Sequence, residues 1–441
     1  MLRRIFPILH VLGMIVLVFG LSMLAPLLLS ELTRDGAERA YDEAVLITIG
    51  AGLAMWLLSH HWRRELKMRD GILLVVLTWG LLPAFAALPL IIFSSSRPES
   101  TVAPVLPLLG VGGRQMFKAE MPTPMKDQKL TPRMAETAKG LWLVYVILTA
   151  ACILVLWALG MSFFDAVVHA FSIMGLGGFS SHDASLGYFD SLPLEIAVGT
   201  FALIAGINFA THFAVLRGRS LRVYRHDPEI RWFLGFVLIS GVALALLLWQ
   251  RDVFLDFPSA LRYAVFNTIS VATTLGFATT DYGHWPFFAG LWLLFLCSFS
   301  TSAGSTGGGI KMMRAVLLYK QVYRELNKLI HPNAQIPLRL GEDIVPNKIV
   351  YAVLAFLFIY VATIVSLSFV LSFTGLDVLT AFSAVVACIN NTGPGLGQVG
   401  PATTYAVLTD FQTSVCSFAM LLGRLELFTL LVVLTPAFWR R

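Results

Sequence analysis

The chain has 441 residues, of which 57% are hydrophobic and 13% charged, and its formal net charge is +6. Charged residues approach a quarter of a soluble globular domain, so this composition excludes one, and the solvent for most of the chain is lipid. The basic excess does not mark a nucleic-acid partner, because Lys and Arg are split among short segments beside apolar runs rather than gathered on one face.

Apolar runs long enough to cross a hydrocarbon core recur near 5 to 30, 44 to 60, 71 to 93, 140 to 161, 193 to 216, 232 to 250, 286 to 303, 349 to 371 and 411 to 438. Arg3 and Arg4 precede the first run as they would in a secretory signal, but the run is long and no small-residue cleavage pattern follows Leu28, so it is expected to be retained. Cys152, Cys297, Cys388 and Cys416 lie far apart without metal-ligand spacing and read as buried apolar residues.

Basic segments set the expected orientation. Residues 61 to 70 carry Arg63, Arg64, Lys67 and Arg69, 114 to 139 carry six Lys or Arg against three acids, 217 to 231 carry five against two, and 311 to 348 carry seven against three. These segments, with both chain ends, are expected on the cytoplasmic side. The stretch 31 to 43 holds five acids against Arg34 and Arg39, while 162 to 193 and 373 to 410 contain no Lys or Arg and belong outside. The repeating unit is therefore an outgoing helix, a Gly-bearing stretch too polar for lipid, and a returning helix.

The first unit departs from this rule. About 21 residues separate Phe93 from Arg114, against about 57 from Gly160 to Arg217 in the next unit, and a returning helix alone needs about 20. Roughly 40 residues are missing relative to the next unit, including a pore loop and part of the helix after it.

Self-comparison of the outer ends shows a repeat. Ser172 to Asp183 (SIMGLGGFSSHD) and Ser270 to Asp281 (SVATTLGFATTD) share a Ser six residues before Gly-Phe and an Asp five after the Gly, and Ala387 to Gly397 (ACINNTGPGLG) keeps a small residue six before Gly393. Each follows a short amphipathic stretch, Ala166 to Phe171, Ser259 to Thr268 or Leu379 to Val386, so each copy is predicted as a half-helix followed by a Gly-containing strand. Non-helical backbone at membrane depth is tolerated only where it is buried in protein or lines a watery cavity. A dehydrating monovalent cation needs oxygen dipoles without fixed counter-charge, which backbone carbonyls supply and glycine angles aim. The candidate ion-binding backbone is Leu176, Gly177 and Gly178; Thr274, Leu275 and Gly276; Asn391, Thr392 and Gly393. Gly-rich turns between helices are the alternative.

These loops, with GVGGRQMFKAEMPTPMKDQKLTPR (110 to 133), AGINFATHF (205 to 213) and GRLELFTLL (423 to 431), resemble the TrkH/TrkG membrane subunit of bacterial Trk potassium-uptake systems over nearly the whole chain. The resemblance implies an all-α polytopic fold with four helix, pore-loop, helix repeats in pseudo-fourfold order around a central pore, after two extra N-terminal helices. It also implies a bacterial inner-membrane location, a homodimer, a cytosolic nucleotide-binding regulatory ring of the TrkA type, potassium as the transported ion and no bound cofactor. The expected divisions are 1–70 for the extra helices, 71–139 for an incomplete first repeat, then 140–231, 232–348 and 349–441. With three loops of four, a complete carbonyl cage cannot form within one chain, and selective conduction is expected to be lost or impaired.

Gly304, Gly307, Gly308 and Gly309 interrupt the returning run of the third repeat, and glycines at that density unwind a helix. Lys311 followed by Met312 rules out a phosphate loop. By resemblance the segment is a gate beneath the filter; a glycine-lined helix contact is the alternative. Arg424 lies deep in the last run, where a cation costs at least ~2.5 to 3.5 kcal/mol unless paired or hydrated. Its partner is expected on another segment, since Glu426 is on a different helix face. By resemblance Arg424 projects toward the pore; a purely structural ion pair is the alternative. Asp183 and Asp281 either raise cation concentration at the outer mouth or bond loop backbone. Asn208 and His212 are expected to bond between helices, and Lys311, Arg314, Lys320 and Arg324 to anchor a helix end at the cytoplasmic face, some of them also meeting the regulatory partner. An enzyme is not expected, because no nucleophile, base or metal spacing appears. A carrier with alternating access and a non-conducting scaffold remain the competing classes.

Overall fold

The computed structural model describes residues 2–33, 36–61, 66, 68–96, 134–299, 301–340 and 343–440. It divides into two compact units, Met1–Pro122 with Phe428–Arg441, and Thr123–Leu427. The shortened stretch between Phe93 and Arg114 falls almost entirely outside the described residues, as does the segment 110 to 133.

The first unit contains α1 (Leu2–Ser22), α2 (Leu24–Thr33), α3 (Glu38–Ser59) and α4 (Met68–Ser96), and from the end of the chain α17 (Phe428–Leu434) and α18 (Pro436–Trp439). Small residues let α1 and α3 approach closely: a Cβ on Gly13 would lie 2.8 Å from the Trp56 nitrogen and one on Gly52 2.9 Å from that of Leu17. Ile8 and Leu12 of α1 pack on Leu74 of α4, and Met23 packs on Ala44 and Val45 of α3.

The second unit holds three consecutive helix, half-helix, helix repeats. Their outgoing helices are α5 (Met134–Ala158), α10 (Pro228–Gln250) and α14 (Asn347–Phe373). Their half-helices are α6 (Phe163–Gly175), α11 (Phe257–Ala272) and α15 (Val378–Ile389). Each half-helix opens on a side-chain cap, with Ser162 accepting from the Asp165 N–H, Asp256 from that of Ser259 and Asp377 from that of Thr380, which satisfies a donor the first turn would leave orphaned. Among the described residues six helices are long and apolar enough to cross a membrane, and each lies on one of the nine apolar runs read from the sequence.

The returning runs at 193 to 216 and 411 to 438 differ from the expectation of straight spans, while that at 286 to 303 is broken by its glycine segment as the sequence predicts. The run at 193 to 216 is two helices, α7 (Leu192–Ala205) and α8 (Phe209–Gly218), bent by 92°, where Asn208 leaves the helix and its side chain caps α8 by accepting from Ala210 N–H at 2.9 Å. The run at 286 to 303 is helical only as α12 (Phe287–Cys297) and resumes as α13 (Met312–Ile330) after the glycine segment. The last run leaves its helix, α16 (Asp410–Arg424), at Leu425, and Glu426 and Leu427 take left-handed φ values of 50° and 51°. A short α9 (Arg222–His226), a two-stranded hairpin, β1 (Arg339–Leu340) with β2 (Asp343–Ile344), and four short 3-10 turns, Ser185–Tyr188, Tyr282–His284, Gly397–Val399 and Tyr405–Val407, complete the described elements. All four cysteines are free and buried.

Candidate functional site: three glycine turns over a glycine-rich loop

The three half-helices end in one backbone turn made three times. Leu176, Thr274 and Asn391 take left-handed φ values of 50°, 62° and 53°, and two residues later Gly178, Gly276 and Gly393 take 71°, 87° and 95°. Between them the N–H groups of Gly177, Leu275 and Thr392 donate to the carbonyls of Ser172, Ser270 and Ala387 at 2.8, 2.8 and 2.9 Å. This closure of a helix end by a residue past the left-handed position follows Schellman logic. The helix ends there and no strand forms among the described residues that follow, in contrast to the strand the sequence suggests.

The turns stand side by side in chain order. A Cβ on Gly178 would lie 2.3 Å from the Leu275 carbonyl oxygen, and one on Gly276 would lie 2.2 Å from that of Thr392. Only glycine permits both the φ and the approach. The nine residues singled out from the sequence thus form one contiguous group. Beyond Gly393, a Cβ would meet no heavy atom of the described residues within 4 Å.

Each half-helix braces the segment that leaves its own turn. Ser172 Oγ accepts from Phe179 N–H at 2.7 Å and Ser270 Oγ donates to the Phe277 carbonyl at 2.6 Å. Further out, His169 Nε2 lies 2.9 Å from Ser180 Oγ, Asn267 Nδ2 donates to Thr279 Oγ1 at 2.9 Å, and Ser383 Oγ accepts from Leu396 N–H at 2.9 Å. In the fourth repeat Tyr360 Oη donates to Asn390 Oδ1 at 2.9 Å and Tyr405 Oη donates to the Gly393 carbonyl at 2.8 Å.

The glycine-rich loop lies against the base of all three turns. Thr306 Oγ1 donates to the Met174 carbonyl at 3.1 Å and Gly308 N–H donates to Thr274 Oγ1 at 3.0 Å. A Cβ on Gly308 would lie 1.9 Å from the Asn390 carbonyl, one on Gly307 3.0 Å from that of Thr273, and one on Gly304 2.8 Å from Asn208 Oδ1. Gly304 and Gly309 take left-handed φ values of 77° and 85°. Glu229, only 2% exposed, accepts from the N–H groups of Ala303 (2.7 Å) and Met313 (3.1 Å), one on each side of the loop.

Arg424 is exposed, and its Nη1 donates to the Thr306 carbonyl at 3.1 Å, so its partner is on another segment, as its helix position suggests. Glu426 instead pairs with Arg314, whose guanidinium also stands 4.2 Å from the centre of the Phe356 ring. Lys311 and Arg314 are 8% and 5% exposed, and Lys311 donates to the Gly307 carbonyl. With Arg324, also buried, they point into the protein rather than anchoring a helix end at a surface, because Gly307, Glu426 and Asn347 supply their acceptors there; Lys320 donates to the Arg339 carbonyl. Asp281 caps its own turn and pairs with His284, whereas Asp183 is exposed. His212 links Tyr224 Oη (2.7 Å) and the Ile204 carbonyl (2.9 Å), across the break between α7 and α8. Among the described residues no group of three or more His, Cys, Asp or Glu side chains is arranged to hold a metal.

Capped half-helices ending in carbonyl-lined turns, set between long apolar helices and interrupted returning helices, define a multi-pass membrane protein built from re-entrant loops. The family model described as TrkH, cation transport protein, matches residues 100–440, and the chain belongs to that family. It is 40% identical to the Trk system potassium uptake protein TrkH of Salmonella typhimurium, covering 98% of each chain, and 32% identical to TrkG of Escherichia coli, again 98% of each. The crystal structure of the potassium transporter TrkH from Vibrio parahaemolyticus shares the fold at a TM-score of 0.88 and 36% identity, with 100% of both chains covered. The Salmonella comparison runs over 479 aligned positions against a chain of 441 residues, so at least 38 of those positions have no residue of this chain opposite them. The family transports cations and is not an enzyme family.

Sequence reading missed Tyr360, Tyr405, Thr306 and Glu229. No periodicity marks them, since each acts on a segment far away in the chain.

Proposed function

We propose that this chain is the ion-conducting membrane subunit of a bacterial potassium-uptake system of the Trk type. It would lie in the inner membrane with both ends cytoplasmic, and its flux would be depressed by the shortage in its first repeat. The observation that carries the reading is the single turn repeated at Leu176–Gly178, Thr274–Gly276 and Asn391–Gly393, with Gly178 and Gly276 each set against the next loop's carbonyl and no described heavy atom within 4 Å of a Cβ on Gly393. A potassium ion would exchange its water for these backbone oxygens, aided by the negative ends of three capped half-helices aimed at one place. The relatives' naming as potassium uptake proteins supports potassium as the ion.

Gly304, Gly307, Gly308 and Gly309 would then be the gate, held shut at the base of the turns, with Arg424 adding positive charge where a cation must pass. Opening requires the loop to leave several backbone acceptors at once, which suits control by a cytosolic nucleotide-binding partner. A homodimer and contact with lipid complete the assembly. The repeat limits 140–231, 232–348 and 349–441 follow the three turns, with 1–70 as the extra helices and 71–139 as the short repeat.

A non-conducting scaffold that still binds its regulator is the second reading, favoured by the 38 or more unmatched positions and by the lack of any described heavy atom within 4 Å of a Cβ on Gly393. Rubidium uptake by this chain in a potassium-transport-deficient strain, beside a version with a complete first repeat restored, separates them. Low uptake that rises on restoration is expected. Equal uptake would refute the impairment, and no uptake from either version, with both present in the membrane, would refute conduction.

A further inference from the structure

Loop four is built differently from loops two and three, and the difference points to a residue that no sequence motif marks. In loops two and three a serine of the half-helix reaches the residue after the filter glycine, Ser172 to Phe179 N–H and Ser270 to the Phe277 carbonyl. The matching pair in loop four is Ala387 and Pro394. Alanine has no hydroxyl and proline no N–H, so neither version of that brace is available. Among the described residues nothing lies within 4 Å of a Cβ on Gly393, whereas those on Gly178 and Gly276 would meet the next loop's carbonyl.

Tyr405 stands where a replacement brace is needed. It opens a short turn, Tyr405–Val407, in the outer segment of the repeat, and Thr404 caps that turn. Its hydroxyl donates to the Gly393 carbonyl at 2.8 Å and receives the Cys388 thiol at 3.8 Å. A phenol has one hydrogen to give, and here it goes to the oxygen of the filter glycine itself. A carbonyl has two lone pairs, so one can hold the phenol while the other faces an ion.

Resting on the proposed conduction pathway, we infer that Tyr405 is a positioning residue for the ion site, fixing the direction of the Gly393 carbonyl in the one loop with no serine at the position of Ser172 and Ser270. The orientation of an unbraced carbonyl would fluctuate, so its contribution to ion binding would fall while transit would change less. The role is confined to loop four, because no equivalent bond reaches Gly178 or Gly276 among the described hydrogen bonds.

The test uses the full chain purified in detergent, with rubidium uptake into vesicles as the companion measurement. In the wild type, potassium is expected to raise the unfolding temperature more than sodium does at equal ionic strength. Tyr405→Phe removes only the hydroxyl; it is expected to shrink that potassium-specific rise and to raise the KM for rubidium several-fold with a smaller change in Vmax. The double variant Ala387→Ser with Tyr405→Phe supplies the brace used by loop three and is expected to restore the rise. An unchanged potassium response in Tyr405→Phe overturns the role of Tyr405 and leaves the pathway standing. Absence of any potassium-specific response and of rubidium uptake in the wild type overturns the pathway itself. A Tyr405→Phe chain that is not monodisperse, and whose double variant is monodisperse but still unresponsive, shows a purely structural hydroxyl and also overturns the inference.

Discussion

The turn at Thr274–Gly276 has a neighbour on either side, with Gly178 set against the Leu275 carbonyl and Gly276 set against the Thr392 carbonyl. Among the described residues the turn at Asn391–Gly393 has such a neighbour on one side only, yet its φ angles are nearly the same. The described contacts that hold this turn are polar: Tyr360 on Asn390, Tyr405 on Gly393, and Asn391 Nδ2 donating to the Met420 carbonyl at 3.3 Å. Packing from behind adds to this, since a Cβ on Gly423 would fall 1.7 Å from the Ile389 carbonyl. A local turn is thus set by its own sequence, while its rigidity comes from whatever the tertiary structure brings to it.

The largest effect that separates the two loops should come from added bulk. Gly276→Ala forces a Cβ onto the Thr392 oxygen at a left-handed φ, a combination costing at least ~1–3 kcal/mol, and rubidium uptake is expected to fall by on the order of tenfold or more. Gly393→Ala meets the same backbone strain but no clash with the described residues, so it should retain more uptake. Equal loss in both would break the contrast between a closed and an open side.

A smaller effect should follow from Tyr360→Phe, which takes a donor from the buried Asn390 side chain and costs about 1–3 kcal/mol, read as a lowered unfolding temperature. Ser270→Ala removes one bond from loop three, where neighbours on both sides remain, and should lower the unfolding temperature less. The reverse order would show that lateral packing, not polar bracing, limits loop three.

The smallest effect is expected at the entrance caps. Asp256→Ala and Asp377→Ala each remove a side-chain acceptor for a first-turn N–H, worth about 0.5–2 kcal/mol, and should lower the unfolding temperature by similar amounts. A much larger loss in Asp377→Ala would mean that the open side of loop four weakens its whole half-helix.

Much of this molecule is legible in its residues. Nine glycine-turn positions followed from the spacing of Ser172, Ser270 and Ala387 to their glycines, because a helix end closed by a left-handed residue obeys local geometry. Six of the nine apolar runs are single long helices, because lipid admits only a few backbone solutions. Residues 193 to 216 misled as a straight span, since Gly206 and Asn208 are compatible with a helix and the break depends on Phe209 N–H donating to the Gly304 carbonyl at 3.1 Å and Ser302 N–H to that of Gly206 at 3.0 Å. Lys311 and Arg314 misled as surface anchors because their acceptors, the Gly307 carbonyl and Glu426, arrive from elsewhere in the fold.

The sequence alone therefore determined the solvent, the spans without interruption, the three turns and their glycines, because each depends on neighbours within about seven residues. Only the tertiary structure decided the order in which the turns stack, the seat of the glycine-rich loop against them, the partner of Arg424 and the reach of Tyr405 to Gly393. Those are bonds between segments far apart in the chain, and the energy that selects them exists only once the backbone has brought both ends together.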